Sequence, residues 1–457
     1  MQQFLRRLTG ITIIALAGGI LVWAQTSQPA DSGQAAPAAP AEKKKNYKDQ
    51  QEYTLYDSVS KETDATKKLA LLNTWKEKYA DSDFKMDRLR IYLDTYQKLG
   101  QPAKMIDTAK EILAADPKDI TSLYWITFLT PSLGVSSADA LDTGEKAAKG
   151  LLTAEKPAAV KDEDWTKAKS QTDATAYTTL GWIAMQRKSN DVAEENFKKG
   201  LAINPTAVQV SYWLGTVIRL QAEKKPERQS EALYDFARAA AYDGTGALAP
   251  DGRKQIDAYL TKVYTSLHGD TSGLVELKAM AKANPTPPAD FKIKTAAEIA
   301  AEKDEELKKT NPQLALWLAI KGQLLSPEGD NYFTNSMKGA PLPGGAGGVT
   351  KFKGWLVDAK PMKSKAGRVS YPDLQISMAG KDQPADVTLK LVGTDGATAA
   401  PLTGKPDLGG EVEFEGIADS FTKDPAFVVT FTAEKAKITG LKVEAPPVHH
   451  TTAKKKS

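Results

Sequence analysis

From Asn46 to about Ser326, apolar residues return at steps of three and four, the spacing of one face of a helix. Asp116-Pro117, Asn204-Pro205 and Asn284-Pro285 interrupt this pattern, because the residue before a proline disfavours the helical conformation. The same two distances lead back from each proline. Met105 and Ala109, Ala193 and Phe197, and Gly273 and Leu277 lie 12 and 8 residues before Pro117, Pro205 and Pro285. This regularity predicts helical pairs arranged as a repeat. Beyond Gly348 the period changes to that of strands. The stretches "KFKGWLVD", "LQISMA", "DVTLKLVG", "EVEFEGI", "AFVVTFTA" and "KITGLKVE" are separated by turn-rich sequence, which predicts a small antiparallel β-sandwich or barrel. Val412 and Phe414 are expected in its core, Glu411, Glu413 and Glu415 on the opposite face, and a bend or bulge at Gly416.

The segment from Ala176 to Pro205 reads as two helices around a polar turn, with Tyr177, Leu180, Gly181 and Ala184 before the turn and Ala193, Phe197 and Pro205 after it. Leu180-Gly181 recurs 34 residues later as Leu214-Gly215. A helix-turn-helix period of this length is the signature of tetratricopeptide repeats, and the region resembles that family most closely across Ala174 to Ala207. The next unit departs from the pattern. Ala232 and Phe236 fall 39 residues after Ala193 and Phe197, so "EKKPERQ" lengthens the turn by five, and Gly244 stands where a proline is expected. Less regular units are expected over Asp49 to Ser82, Met86 to Asp119, Ile120 to Thr153 and Lys254 to Pro287. Gly181, Gly215 and Ala193 are small where helix backbones approach, and Phe197, Phe236 and Leu277 fill the space between hairpins. The resemblance implies a right-handed superhelix whose first helices line a groove that holds a peptide or a helix of a partner protein.

Helical phase nominates the lining of that groove. Thr178, Trp182 and Met185 form a stripe with Thr175, and Tyr212, Thr216 and Arg219 form the equivalent stripe with Gln209 one repeat later. Thr178, Trp182, Met185, Tyr212, Thr216 and Arg219 are the candidate partner-binding residues. The competing reading makes Trp182 and Tyr212 seals against the next hairpin. The Lys/Asn arrangement by which some family members clamp a peptide's terminal carboxylates is missing, so that specificity is not carried over.

The N-terminus bears on location. Arg6 and Arg7 precede an apolar run from Leu8 to Ala24, with small residues before Gln25, an order that resembles a bacterial secretory signal peptide. Uncleaved, the run would be an inner-membrane anchor, the one membrane contact expected from the sequence. The expected layout is therefore a signal peptide or anchor at 1–24, an Ala/Pro-rich linker at 25–45, a tetratricopeptide-like helical domain at 46–325, a Gly/Pro linker at 326–348, a β domain at 349–445 and a basic tail at 446–457. "FKIKTAAEIAAEKDEELKKTNPQLALWLAIKGQLL" is expected to close the helical array with two capping helices. The chain has no cysteine, so an exported form is held together by packing alone.

Charge and chemistry narrow the function. The 61 basic and 57 acidic residues leave +4 in 457, too small an excess to indicate a nucleic-acid partner. The strand set is loosely similar to oligonucleotide-binding barrels, yet the Glu411 to Glu415 row repels phosphate. Asp162, Glu163 and Asp164 are consecutive and read as a helix start, because a calcium site needs spaced ligands and a glycine turn. His268 and the His449-His450 pair form no zinc pattern. "GGAGG" follows no strand and opens no helix, and "APLTGKP" lacks the frame of a phosphate loop. The expectation is a non-enzymatic scaffold: no cofactor, no metal, no catalytic residue, and a protein or peptide as partner in the cell envelope, with periplasmic location. The alternative is a small-ligand or glycan-binding protein acting through the β domain.

Overall fold

The structure is a computed structural model and describes residues 45–365 and 367–444. The expected signal peptide at 1–24, nearly all of the linker at 25–45 and the tail at 446–457 lie outside the described residues. The chain divides into two compact units, one ending at Thr295 and the other beginning at Ala296.

In the first unit the helices are α1 Gln50–Lys61, α2 Ala65–Lys78, α3 Lys85–Lys98, α4 Pro102–Ala115, α5 Ile120–Leu133, α6 Ala138–Leu152, α7 Asp162–Gln186, α8 Asn190–Ile203, α9 Val208–Gln221, α10 Gln229–Ala241, α11 Pro250–His268 and α12 Leu274–Ala283. The first ten form five hairpins, each packed on the next. The last pair departs from the repeat, since α11 and α12 both lie against α10. Helix starts follow their caps: the side chains of Asp49, Asp64, Asp119 and Ser137 accept from backbone N–H groups of the first turn. Asp162, Glu163 and Asp164 form the first turn of α7, where acidic groups favour the positive end of the helix dipole. The whole is a tetratricopeptide-type solenoid, as the period predicts.

Packing residues of the repeat stand where the spacing places them. Ala193, Phe197 and Ala232 are fully buried, and Phe236 and Leu277 nearly so. A β-carbon on Gly215 would lie 3.0 Å from the carbonyl oxygen of Ala232 and 3.2 Å from the Phe236 ring, so α9 and α10 meet where a side chain is absent. Across hairpins, the Phe197 and Trp213 rings are 5.9 Å apart.

The second unit opens with α13 Ala296–Thr310 and α14 Pro312–Leu325. Its strands are β1 Pro341–Leu342, β2 Phe352–Asp358, β3 Met362–Lys363, β4 Val369–Ser370, β5 Asp373–Ser377, β6 Val387–Val392, β7 Glu411–Phe414, β8 Gly416–Thr422, β9 Val428–Glu434 and β10 Ile438–Thr439. Eight of them form one curled sheet, a half-barrel in the order β1-β8-β9-β6-β5-β2-β7-β10, and β3 pairs with β4 as a separate hairpin. All pairings are antiparallel except β6 with β9, which run parallel from Val387↔Val429 to Val392↔Glu434. Val412 and Phe414 are buried as their alternation requires, and the chain turns at Gly416 from β7 into β8.

Two expectations about boundaries are corrected. The helices expected to close the solenoid belong to the second unit: Trp317, Ile320 and Leu324 of α14 are buried in the core formed by Phe352, Phe414 and Phe431 of the sheet. Trp317 Nε1 donates to Asp386 Oδ2 at 2.9 Å, and Asp386 Oδ1 accepts from the Met378 backbone at 2.9 Å. The span 326–348 is likewise no linker between units. Phe333 and Met337 are buried in the same core, and β1 pairs with β8. Its glycines and prolines make tight turns inside a folded unit, a composition that a linker shares.

Candidate functional site

The six residues nominated to line a groove fall in the middle of the solenoid, on α7 and α9. Trp182, Tyr212 and Thr216 are buried, Trp182 with only 3% of its surface exposed. Tyr212 lies with its ring 5.9 Å from Phe236, and burial, with Tyr259 beside it, pushes its phenol up to about 12. The Thr216 hydroxyl donates to the Tyr212 carbonyl of its own helix at 2.8 Å. These three build the core and cannot present a face to a partner. Thr178 is half-buried against α8: a β-carbon on Gly200 would lie 3.1 Å from its hydroxyl oxygen. Met185 packs at the margin of the same core. Arg219, half-buried in the last turn of α9, forms no ion pair among the described residues.

The reason is helical phase. Gly181 faces Phe197 of α8, and Thr178, three residues before it, faces the same helix. Thr179 faces the other way and donates to the Thr127 carbonyl of α5 at 2.9 Å. The stripe drawn through 178, 182 and 185 therefore runs along packed surface, Thr178 against α8 and Trp182 and Met185 in or against the core. From Ser211 to Ile218 every residue of α9 is buried, so this helix is enclosed on all sides.

What sequence reasoning missed is a group of charged side chains beside that enclosed helix. Arg228, on the lengthened turn before α10, reaches back to Glu194 of the previous hairpin. Its Nη1 and Nη2 donate to Glu194 Oε2 at 2.9 Å and Oε1 at 2.7 Å, a fork-to-fork pair. Arg228 also donates to Glu231 at 2.6 Å and to the Gln221 side chain at 2.7 Å, while Lys198 bridges Glu194 at 2.7 Å and Glu231 at 2.9 Å. Burial alone would raise the Glu194 carboxyl, but the hydrogen bonds from Arg228, Lys198 and Gln221 outweigh it and hold the group at about 2. The five extra residues that break the period thus supply a clamp between neighbouring repeats. Their Lys, Glu and Arg content was the available signal.

One turn further along α10, Asp235 is almost wholly buried. Burial, with the charge of Glu231 added, pushes its carboxyl well above the usual range. Arg238, also buried, donates to the Ala281 carbonyl of α12 at 2.9 Å and to the Pro205 carbonyl at 2.7 Å. The Asn-Pro turn that marks the repeat is thereby tied to two later helices. This arrangement can fix the register of hairpins.

In the second unit an open cleft of about 500 Å³ lies beside the end of β2, with Asp358, Lys360, Gln375, Lys381, Asp382 and Gln383 among its lining residues. Glu411 and Glu415 form no free acidic row: Glu411 pairs with Lys353 at 2.9 Å and Glu415 with Lys437 at 3.6 Å. Among the described residues no group of three His, Asp or Glu side chains is placed to hold a metal ion, and no helix is long and apolar enough to cross a membrane. The Leu8 to Ala24 run and the His449-His450 pair lie outside the described residues. His268 Nδ1 is 2.8 Å from the Lys294 carbonyl oxygen.

No family model matches the sequence, and no curated protein does. Several solved structures are similar in part, three of them as follows. One is TTC0263, a thermophilic TPR protein of Thermus thermophilus, at 15% identity and a TM-score of 0.27, covering 46% of this chain and 96% of that one. Two are structures of MamA. The first has 16% identity, a TM-score of 0.26 and covers 50% and 96% of the two chains; the second has 15%, 0.27, 43% and 100%. Likeness at this level carries no argument, and the fold stands on the packing described above.

Proposed function

We propose that this chain is a protein-interaction scaffold of the cell envelope, in which the stacked hairpins engage a peptide or helix of a partner. The observation that carries the reading is the division of labour in the solenoid. Gly181 against Phe197 and Gly215 against Phe236 close their own hairpins, the Phe197 ring meets Trp213 of the next one, and a solenoid so joined offers an extended surface for a partner. Of the nominated residues, Arg219 and Met185 remain as contact candidates. The order of basic, apolar and small residues from Arg6 to Ala24 supports export, and N-terminal sequencing of native protein tests it: a mature start near Gln25 is expected, and a start at Met1 in the membrane fraction supports the anchored form.

Photo-crosslinking groups placed at Met185 and Arg219, activated in intact cells, test the binding surface. A discrete adduct from either position, with no adduct from a probe placed at exposed Lys303 of the second unit, is the expected result. Adducts at Lys303 alone would move the activity off the solenoid. A second reading, binding of a small ligand or glycan by the β unit, draws on the cleft beside β2, whose Gln, Asp and Lys side chains match the hydrogen-bonding groups of a sugar. Retention of the captured species by residues 296–444 and not by 45–295 supports it.

A further inference from the structure

The β3–β4 hairpin stands outside the eight-stranded sheet as a two-stranded sheet of its own. Met362 pairs with Ser370 and Lys363 with Val369. Ser364 closes the tip: its backbone N–H donates to the Arg368 carbonyl at 2.9 Å, its carbonyl accepts from Gly367 at 2.9 Å, and its hydroxyl accepts from the Arg368 N–H at 3.1 Å. Gly367 takes a φ of +77°, which the turn requires. The stem is fixed at its base, where Tyr371 exchanges backbone hydrogen bonds of 2.9 and 3.0 Å with Leu402. The described residues of the hairpin therefore form a paired stem with two defined faces.

Its charge is one-sided. Overall the basic and acidic residues nearly balance, 61 to 57, yet Ala359 to Tyr371 carries Lys360, Lys363, Lys365 and Arg368 and no acidic residue. All four cations are exposed, and none forms an ion pair among the described residues. Met362 and Val369, on opposite faces, are 53% and 39% exposed, so apolar side chains stand among unpaired cations on the stem of the hairpin. Lysine and arginine are drawn to the negative potential of an anionic leaflet, and neighbouring apolar side chains can enter the headgroup boundary. A single-stranded nucleic acid would call for an aromatic platform, and the one aromatic residue here, Tyr371, is held in the base of the stem.

We propose that the β3–β4 hairpin is a contact site for the surface of an anionic phospholipid membrane, with Lys360, Lys363, Lys365 and Arg368 facing the headgroups and Met362 or Val369 entering their boundary. This contact is independent of the partner surface on the solenoid and separate from any anchoring by the Leu8 to Ala24 run.

The test uses the full chain and sedimentation with vesicles of phosphatidylcholine alone or of phosphatidylcholine and phosphatidylglycerol at about 7:3. Neutral vesicles read the contribution of the N-terminal apolar run, the difference between the two reads all basic segments, the runs at Lys43–Lys45 and Lys454–Lys456 included, and the part of that difference lost in the hairpin variants reads the hairpin. Wild-type protein should bind the anionic vesicles at least ~10-fold more tightly, with the increment lost as salt rises. Lys363→Glu with Arg368→Glu should remove most of the increment and leave binding to neutral vesicles unchanged. Met362→Ser should weaken binding to anionic vesicles and keep its salt dependence. Lys360→Gln with Lys365→Gln, outside the paired residues, should lower the increment without touching the ladder. Equal binding to both vesicle types, or an increment that survives both charge variants, overturns the proposal. So does hairpin-dependent retention of an acidic protein or of nucleic acid by a chain that shows no vesicle increment.

Discussion

A β-carbon placed on Gly181 would lie 2.5 Å from the ring of Phe197, so α7 and α8 touch through a position that has no side chain. Gly181→Ala should lose stability, because about 1–3 kcal/mol of overpacking exceeds the roughly 1 kcal/mol that alanine gains over glycine inside a helix. Gly322 on α14 is the control. Nothing stands within 4 Å of where its β-carbon would be, so Gly322→Ala should stabilise by about 0.5–1 kcal/mol. Denaturation midpoints of the two variants should move in opposite directions, and movement in the same direction would falsify the contact.

Trp182→Ala should cost about 3–5 kcal/mol, since the side chain is buried in the core shared with Phe197 and Tyr212. Arg219→Ala should change stability by less than about 0.5 kcal/mol and reduce capture of the partner. Measuring midpoint and capture on both variants separates packing from binding. A stable Trp182→Ala protein would return that residue to the surface.

The clamp between repeats should titrate in acid. Glu194 is held at about 2 against an ordinary value of 4.5, so its contribution to stability is complete above pH 4.5 and is lost as the pH falls toward 2. In Arg228→Met that acid-sensitive part should shrink, with a loss near neutral pH of about 1.5–3 kcal/mol from the broken charged hydrogen bonds. Stability curves from pH 2 to 7 for wild type and variant should converge at the acid end; parallel curves would place the pair at the surface energetically.

Asp235 has the opposite sign. Its carboxyl is raised in the folded state, so its favourable contribution is complete below the unfolded value of 3.8 and is lost as pH rises through the folded one. Asp235→Asn should therefore be more stable than wild type at alkaline pH, by a margin that grows with pH. A margin that shrinks as pH rises would show an ionised, paired carboxylate.

The boundary between units predicts which pieces fold. Residues 296–444 should give a cooperative transition, whereas 349–444 should not, because the latter lacks Trp317, Phe333 and Met337 of the core. Asp386→Ala should destabilise the longer piece by about 1–3 kcal/mol by leaving the Trp317 N–H and the Met378 N–H without their acceptor. Cooperative unfolding of 349–444 alone would restore the boundary at Gly348.

The solenoid was legible because close packing constrains residue size at fixed spacing. Gly181, Ala193, Phe197 and Gly215 announce the hairpins, and the structure puts all four at contacts between helices. Which surface a stripe faces was not legible. Thr178 and Thr179 are adjacent in sequence, yet one faces α8 and the other α5, and on a helix enclosed like α9 a periodic pattern has no free side to reveal. Amphipathic periodicity also says that α14 has a buried face without saying which core receives it. In β8, Asp419 and Ser420 interrupt the alternation after Ala418, at the point where its register with β9 shifts. The clamp of Arg228 on Glu194 joins residues 34 apart and was visible only as an irregular turn.

The bond from Trp317 to Asp386 spans 69 positions of the chain. During synthesis α14 therefore leaves the ribosome well before its acceptor and before the strands that cover its apolar face. The solenoid hairpins can close one after another as they emerge, each partner helix following within a few residues. The second unit must wait longer: Phe333, Met337 and Phe352 can begin to cover Trp317 as they emerge, but its indole N–H has no acceptor and its core no far strands until Asp386 and β6 have been made.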